Sequence, residues 1–101
     1  MQTTAMTQAT LVTRAGGVID AEIDNEIVAL KIETGLCYGF NEIGSEIWKL
    51  LATPISVGDV CKKLLSEYRI DAATCERQII ELLMQLQYEG LVQEHSNRPG
   101  E

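Results

Sequence analysis

A chain of 101 residues with a net charge of −7 and 46% hydrophobic residues is the size of one domain, with room for a modest core but not for a core plus a deep catalytic cavity. The acidity argues against nucleic acid as a partner: phosphate contacts need clustered Lys and Arg, and of the 8 basic residues only Lys62 and Lys63 are neighbours. No apolar run approaches the roughly 18 residues of a membrane span, so a cytoplasmic protein without a membrane partner is expected.

Residues 1–9 are polar and Thr-rich, lack the charged-then-apolar order of a secretory signal, and read as a disordered N-terminus. Residues 18–23 and 27–32 read as two strands joined by the polar turn Asp24-Asn25-Glu26. In the second strand Val28, Leu30 and Ile32 alternate with Ala29 and Lys31, which predicts one buried and one wet face. Asp20, Glu22, Asp24 and Glu26 alternate along this hairpin. They form a candidate hard-cation site, but carboxylates on a wet strand face are more often solubilising.

Glu33-Thr34-Gly35 turns the chain into a third strand, Leu36-Cys37-Tyr38-Gly39-Phe40, completing an antiparallel meander. Leu36, Tyr38 and Phe40 fall on one face of this strand and Cys37 and Gly39 on the other. Gly39 marks a place where another backbone can approach closely. With no charged side chain between Leu36 and Asn41, nothing guards the strand if it is an edge, and such an edge suits an added peptide strand.

Three helices follow. The first opens on an Asn41 N-cap, with Ile43, Ile47, Leu50 and Leu51 at helical spacing around Trp48, and it ends before Thr53-Pro54. Ser56-Val57-Gly58-Asp59 resembles a capping box, and Val57, Val60, Cys61, Leu64, Leu65 and Tyr68 give the second helix its apolar face. The third is capped by Asp71 and stops at Gly90, after which Leu91-Val92 forms a short strand or simply covers the core. It carries two apolar stripes: Cys75, Ile79, Leu82, Leu83 and Leu86 make a core face, while Ile80, Met84 and Tyr88 recur at i, i+4 and i+8 beside Arg77 and Glu81. The second stripe reads either as a contact with another layer of the same domain or as a groove wall, for which methionine is well suited. Residues 95–101 read as a disordered tail, which leaves 10–94 as the folded domain.

Catalysis is not supported. The one histidine, His95, lies in the tail, and no Ser/His/Asp or Cys/His arrangement exists. Cys37, Cys61 and Cys75 are odd in number and widely spaced, so unpaired thiols are expected rather than a disulfide or zinc framework. Gly16-Gly17 lacks the lysine of a phosphate-cradling loop. No metal or cofactor is expected.

Taken together, the order Gly35-x-x-Tyr38-x-Phe40-Asn41-x-x-Gly44-x-x-Ile47-Trp48-x-Leu50-Leu51, then Val57, Val60, Leu64, Tyr68 and Gly90-Leu91, resembles the PqqD family over residues 14–92. Phe40 stands where that family more often has Leu. The resemblance implies an α+β, winged-helix-like fold of a three-stranded antiparallel sheet followed by three helices, acting as a RiPP recognition element. Such a domain binds the leader of a ribosomally made precursor peptide and delivers it to a modifying enzyme or leader protease. By this resemblance the peptide-binding residues are Leu36, Cys37, Tyr38, Gly39 and Phe40 on the strand and Arg77, Ile80, Glu81, Met84 and Tyr88 on the third helix. Lasso-peptide biosynthesis is the first expectation and a chaperone for a radical SAM enzyme of quinone-cofactor biosynthesis the second. A winged-helix DNA binder and a homodimer paired through the open strand remain as other classes. The former is disfavoured because Arg77 stands among Asp71, Glu76, Glu81 and Glu89.

Overall fold

The computed structural model describes residues 6–95, so the disorder expected of 1–5 and 96–101 lies outside the described residues. Nine elements follow in order: β1 (Leu11–Arg14), β2 (Val18–Ile23), β3 (Glu26–Lys31), β4 (Leu36–Gly39), α1 (Glu42–Leu50), β5 (Ile55–Ser56), α2 (Val57–Glu67), α3 (Ala72–Tyr88) and β6 (Val92–Glu94). The predicted meander is present as the antiparallel sheet β2-β3-β4, and three helices follow it, giving the α+β arrangement expected. Asp24 and Asn25, with φ of 53° and 69°, close the β2–β3 hairpin. Two consecutive positive φ values match the right-handed twist of the flanking strands.

A second small sheet, in the order β5-β1-β6, was not foreseen. Its centre, β1, gathers the segment after α1 and the segment after α3 onto the N-terminal strand. Residues 6–9, read from the sequence as part of a disordered end, are held as well. Met6 is buried, the Gly58 N–H donates to the Gln8 carbonyl at 2.9 Å, and Gln8 Nε2 donates to Glu76 Oε1 at 2.6 Å. Its one large apolar side chain, Met6, and the two hydrogen bonds of Gln8 seat it. At the other end the His95 N–H donates to the Leu11 carbonyl at 2.8 Å, so the backbone of the expected tail starts within the fold.

Each helix begins at the cap its sequence specifies. Asn41 accepts from the Gly44 N–H at 2.8 Å, Ser56 from the Asp59 N–H at 3.0 Å, and Asp71 from the Thr74 N–H at 3.0 Å. The bonds from Thr74 hold the Asp71 carboxyl below its ordinary pKa, since they favour the charged acceptor. At the far end of α3, Gly90 takes φ +84°, and the Leu91 N–H returns to the Leu86 carbonyl at 2.9 Å. A Cβ there would be strained by the backbone and would also meet the Lys31 ammonium.

The sheet faces the helices in the opposite sense to the one read from β3. Ile27 and Ala29 are buried, whereas Val28 is exposed. The reason is Trp48. Ala29 pairs with Asp20 across the ladder, and on that side the Trp48 indole donates to Asp20 Oδ2 at 2.6 Å. A small residue opposite the ring lets α1 dock on this face rather than on the bulkier Val28 face. Ser45 completes the seam: its Oγ accepts from the Ile27 N–H at 2.8 Å and donates to the Phe40 carbonyl at 3.3 Å, and the residue is 1% exposed. Ser45→Ala leaves a buried N–H without a partner and is expected to cost about 1–3 kcal/mol in chemical denaturation.

Candidate functional site

β4 is an edge strand: the sheet order ends with it, and no described strand pairs its far side. The Phe40 N–H donates inward to the Ile27 carbonyl at 2.8 Å. Antiparallel alternation therefore turns the main-chain groups of Tyr38 toward β3 and those of Cys37 and Gly39 toward the open edge. A Cβ on Gly39 would meet nothing within 4 Å. Leu36 is exposed, Tyr38 half-buried and Phe40 buried, so of the expected strand residues Phe40 packs mainly into the core. Its ring stacks on Trp48 with centroids 5.4 Å apart.

Beside the end of this edge lies a cleft of about 380 Å³. Gly39 and Phe40 form one wall, Ile43 and Ile47 of α1 the base, and Gln78, Ile79 and Leu82 of α3 the opposite wall. Its lining is mostly apolar with a few amide groups, a composition that takes apolar side chains and leaves main-chain polarity to the strand edge. Farther along the same flank of α3, Tyr38 Oη donates to Glu89 Oε1 at 3.3 Å, Gln85 Nε2 donates to Glu89 Oε2 at 3.1 Å, and Lys31 Nζ donates to the Glu89 carbonyl at 3.2 Å. Desolvation, and then the Glu89 carboxylate, push the Tyr38 phenol up, so it is a protonated donor at neutral pH.

The flank of α3 that lines this cleft differs from the helix wall expected from the sequence. On a helix advancing about 100° per residue, Ile80, Arg77, Glu81, Met84 and Tyr88 lie about 100–200° round from Ile79, on the side away from Gln78 and Leu82. Ile80 packs against the core and Met84 and Tyr88 are exposed, but none of the five lines the cleft. Of the ten expected residues, Gly39 and Phe40 alone line this cleft. The residues that do face β4 are Gln78, Leu82, Gln85 and Glu89. Leu82 carried a signal, since it stands at the edge of the core stripe, and the structure leaves it half-buried.

Cys37 is exposed, while Cys61 and Cys75 are buried. Burial, followed by the neighbouring Cys75 and Glu76, pushes the Cys61 thiol up to about 11, and burial likewise raises Cys75. Nucleophilic attack needs the thiolate. A colorimetric disulfide reagent at pH 8 is expected to titrate Cys37 alone in the native protein and all three thiols in denaturant. Two fast-reacting thiols in native buffer would refute this placement. Among the described residues no cluster of His, Cys, Asp and Glu is placed to hold a metal ion, and no helix is long and apolar enough to cross a membrane.

The sequence family described as Coenzyme PQQ synthesis protein D (PqqD) matches residues 26–92. Three solved structures share the fold. One is TbiB1 in complex with the TbiA(beta) leader peptide, at 29% identity and a TM-score of 0.77, covering 84% of this chain and 99% of that one. Another is a lasso peptide synthetase B1 complexed with the leader peptide, at 26% identity and a TM-score of 0.74, covering 81% and 96%. The third is the PqqD truncation of Methylobacterium extorquens PqqCD, a stand-alone RiPP recognition element, with 20% identity, a TM-score of 0.73 and coverage of 88% and 95%; it bears on the fold alone. No curated protein sequence matches the chain.

Proposed function

This chain belongs to the PqqD family, and from that premise we propose that it is a non-catalytic adaptor that binds the leader of a ribosomally made precursor peptide and presents it to a leader protease or other modifying enzyme. The observation that carries this reading is the open β4 edge running beside an apolar cleft. Two solved structures above 25% identity hold leader peptides, and the name of one, a lasso peptide synthetase B1, makes lasso-peptide assembly the first choice here.

The mechanism follows from strand addition. An extended guest pairs with the outward N–H and C=O groups of Cys37 and Gly39, which supplies register and affinity, and drops apolar side chains between Phe40 and Leu82, which supplies selectivity. Gln78, Gln85 and Glu89 stand where they can meet polar or basic guest groups at the rim. Exposed pairs of that kind contribute below ~1 kcal/mol but orient the incoming chain. Ordering a disordered guest consumes part of the interaction energy, so affinity is expected between micromolar and nanomolar.

Amide hydrogen exchange tests the geometry directly. Adding the leader of its cognate precursor peptide is expected to slow exchange at Cys37 and Gly39 at least tenfold, and to change Tyr38, already turned toward β3, much less. Protection at Tyr88 and Met84 with none at Cys37 and Gly39 would overturn strand addition at β4.

A further inference from the structure

The flank of α3 that faces β4 ends on a carboxylate with no ionic partner. Gln78, Leu82, Gln85 and Glu89 recur at i, i+4, i+7 and i+11, a single row along the helix. Glu89 is half-buried, and two neutral donors fix its carboxylate: Tyr38 Oη donates to Oε1 at 3.3 Å and Gln85 Nε2 to Oε2 at 3.1 Å. Lys31 comes close, but it donates to the main-chain carbonyl of Glu89, at 3.2 Å, rather than to the carboxylate. None of the ion pairs among the described residues includes Glu89. An ionised carboxylate offers about four acceptor sites, so each oxygen keeps one for a further donor. The neutral donors thus aim the group without cancelling its charge.

Resting on the adaptor reading above, we propose that Glu89 is a specificity-determining residue. It selects a lysine or arginine of the leader, two residues along from the apolar side chain that enters the cleft. Residues opposite one another in paired strands turn their side chains to the same face of the sheet. A guest residue opposite Phe40 therefore faces the helices at the cleft, which Phe40 and Leu82 line. The next guest side chain on that face lies opposite Tyr38, about 6.7 Å farther along the strand. Tyr38 is the strand residue that touches Glu89, so this guest side chain comes up beside the carboxylate. The guest residue between them, opposite Gly39, points to the other face and is not read by α3.

The sign of the preference follows from what surrounds the carboxylate. Gln78, Leu82 and Gln85 are uncharged, and no charge lies from Leu36 to Phe40, so Glu89 sets the sign along this row and edge. The last turn of α3 adds the negative end of the helix dipole, which Lys31 offsets in part. A leader glutamate opposite Tyr38 would meet like charge in a site that the guest itself closes to water.

Titration calorimetry with synthetic versions of the cognate leader, carrying Lys, Gln or Glu at one position after another, tests the proposal. At one position affinity is expected to fall in the order Lys, Gln, Glu. That position should stand two residues from the one where replacing an apolar residue by Ala costs most. The Lys and Glu peptides are expected to differ there at least tenfold at low salt, and less at high salt. Glu89→Lys should invert the order at that position alone, and Glu89→Gln should flatten it. Glu76→Gln removes a carboxylate from the flank of α3 that Gln8 reaches, and is expected to leave the order unchanged, which separates a local contact from the overall negative charge. Thermal melting of each variant checks that folded protein is titrated. A leader indifferent to charge at every position, an order that survives Glu89→Lys, or one that Glu76→Gln erases would each overturn the proposal. In those cases the peptides still bind and the adaptor reading stands, whereas a leader that never binds would overturn both.

Discussion

Leu82→Glu is expected to weaken leader binding at least tenfold by titration calorimetry, and Met84→Glu to change it less than twofold. Leu82 forms the α3 wall of the cleft opposite Gly39 and Phe40, whereas Met84 is 43% exposed on the other flank of the same helix. A guest side chain lodged against Leu82 gains roughly 1.5–3 kcal/mol of apolar burial. A carboxylate in its place must be desolvated or must hold the guest away. Leu82 is only half-buried, so the variant is expected to keep a cooperative thermal transition, which separates lost binding from lost folding. If Met84→Glu proved the damaging change and Leu82→Glu the silent one, the peptide would run along the far stripe of α3, as the sequence alone suggested.

That reversal shows what a helical sequence can and cannot disclose. Spacing fixed the angular relation between the stripe led by Ile79 and the stripe led by Ile80, and both are apolar. Which neighbour covers each flank is a matter of tertiary docking. Met6 and Gln8 come from a stretch that looked unstructured, and Gln8 reaches Glu76 on the flank that also carries Ile80, leaving the Gln78–Leu82 flank to β4. The meander and the helix starts were legible because turn and capping chemistry is local: Asp24-Asn25, Asn41, Ser56 and Asp71 act on groups within three residues. The β5-β1-β6 sheet was not, since strands of two to four residues leave too little alternation to recognise. The inverted β3 face has a different origin. Val28 and Leu30 are more hydrophobic than Ala29, yet the size of the docking ring, not hydrophobicity, decided which side was covered.

Trp48→Ala is expected to remove about 3–5 kcal/mol of stability, a large share of the total for a domain of this size. The ring is 1% exposed and stacks on Phe40, and the Arg14 guanidinium sits 4.6 Å from its centroid on the way to the Trp48 carbonyl, which Arg14 Nη2 reaches at 2.8 Å. Arg14 also reaches Asp20 Oδ2 at 3.2 Å, the same oxygen that accepts from the indole. One side chain, Arg14, thus ties β1, β2 and α1 together. Trp48→Phe keeps most of the apolar volume but leaves Asp20 without its indole donor, so the two variants divide packing from hydrogen bonding in denaturant titration. The phenylalanine variant should retain the larger part of the stability. Because Phe40 loses its stacking partner in Trp48→Ala, leader affinity should fall along with stability in that variant, and a Trp48→Ala protein that melts normally would place α1 elsewhere than on the Ala29 face.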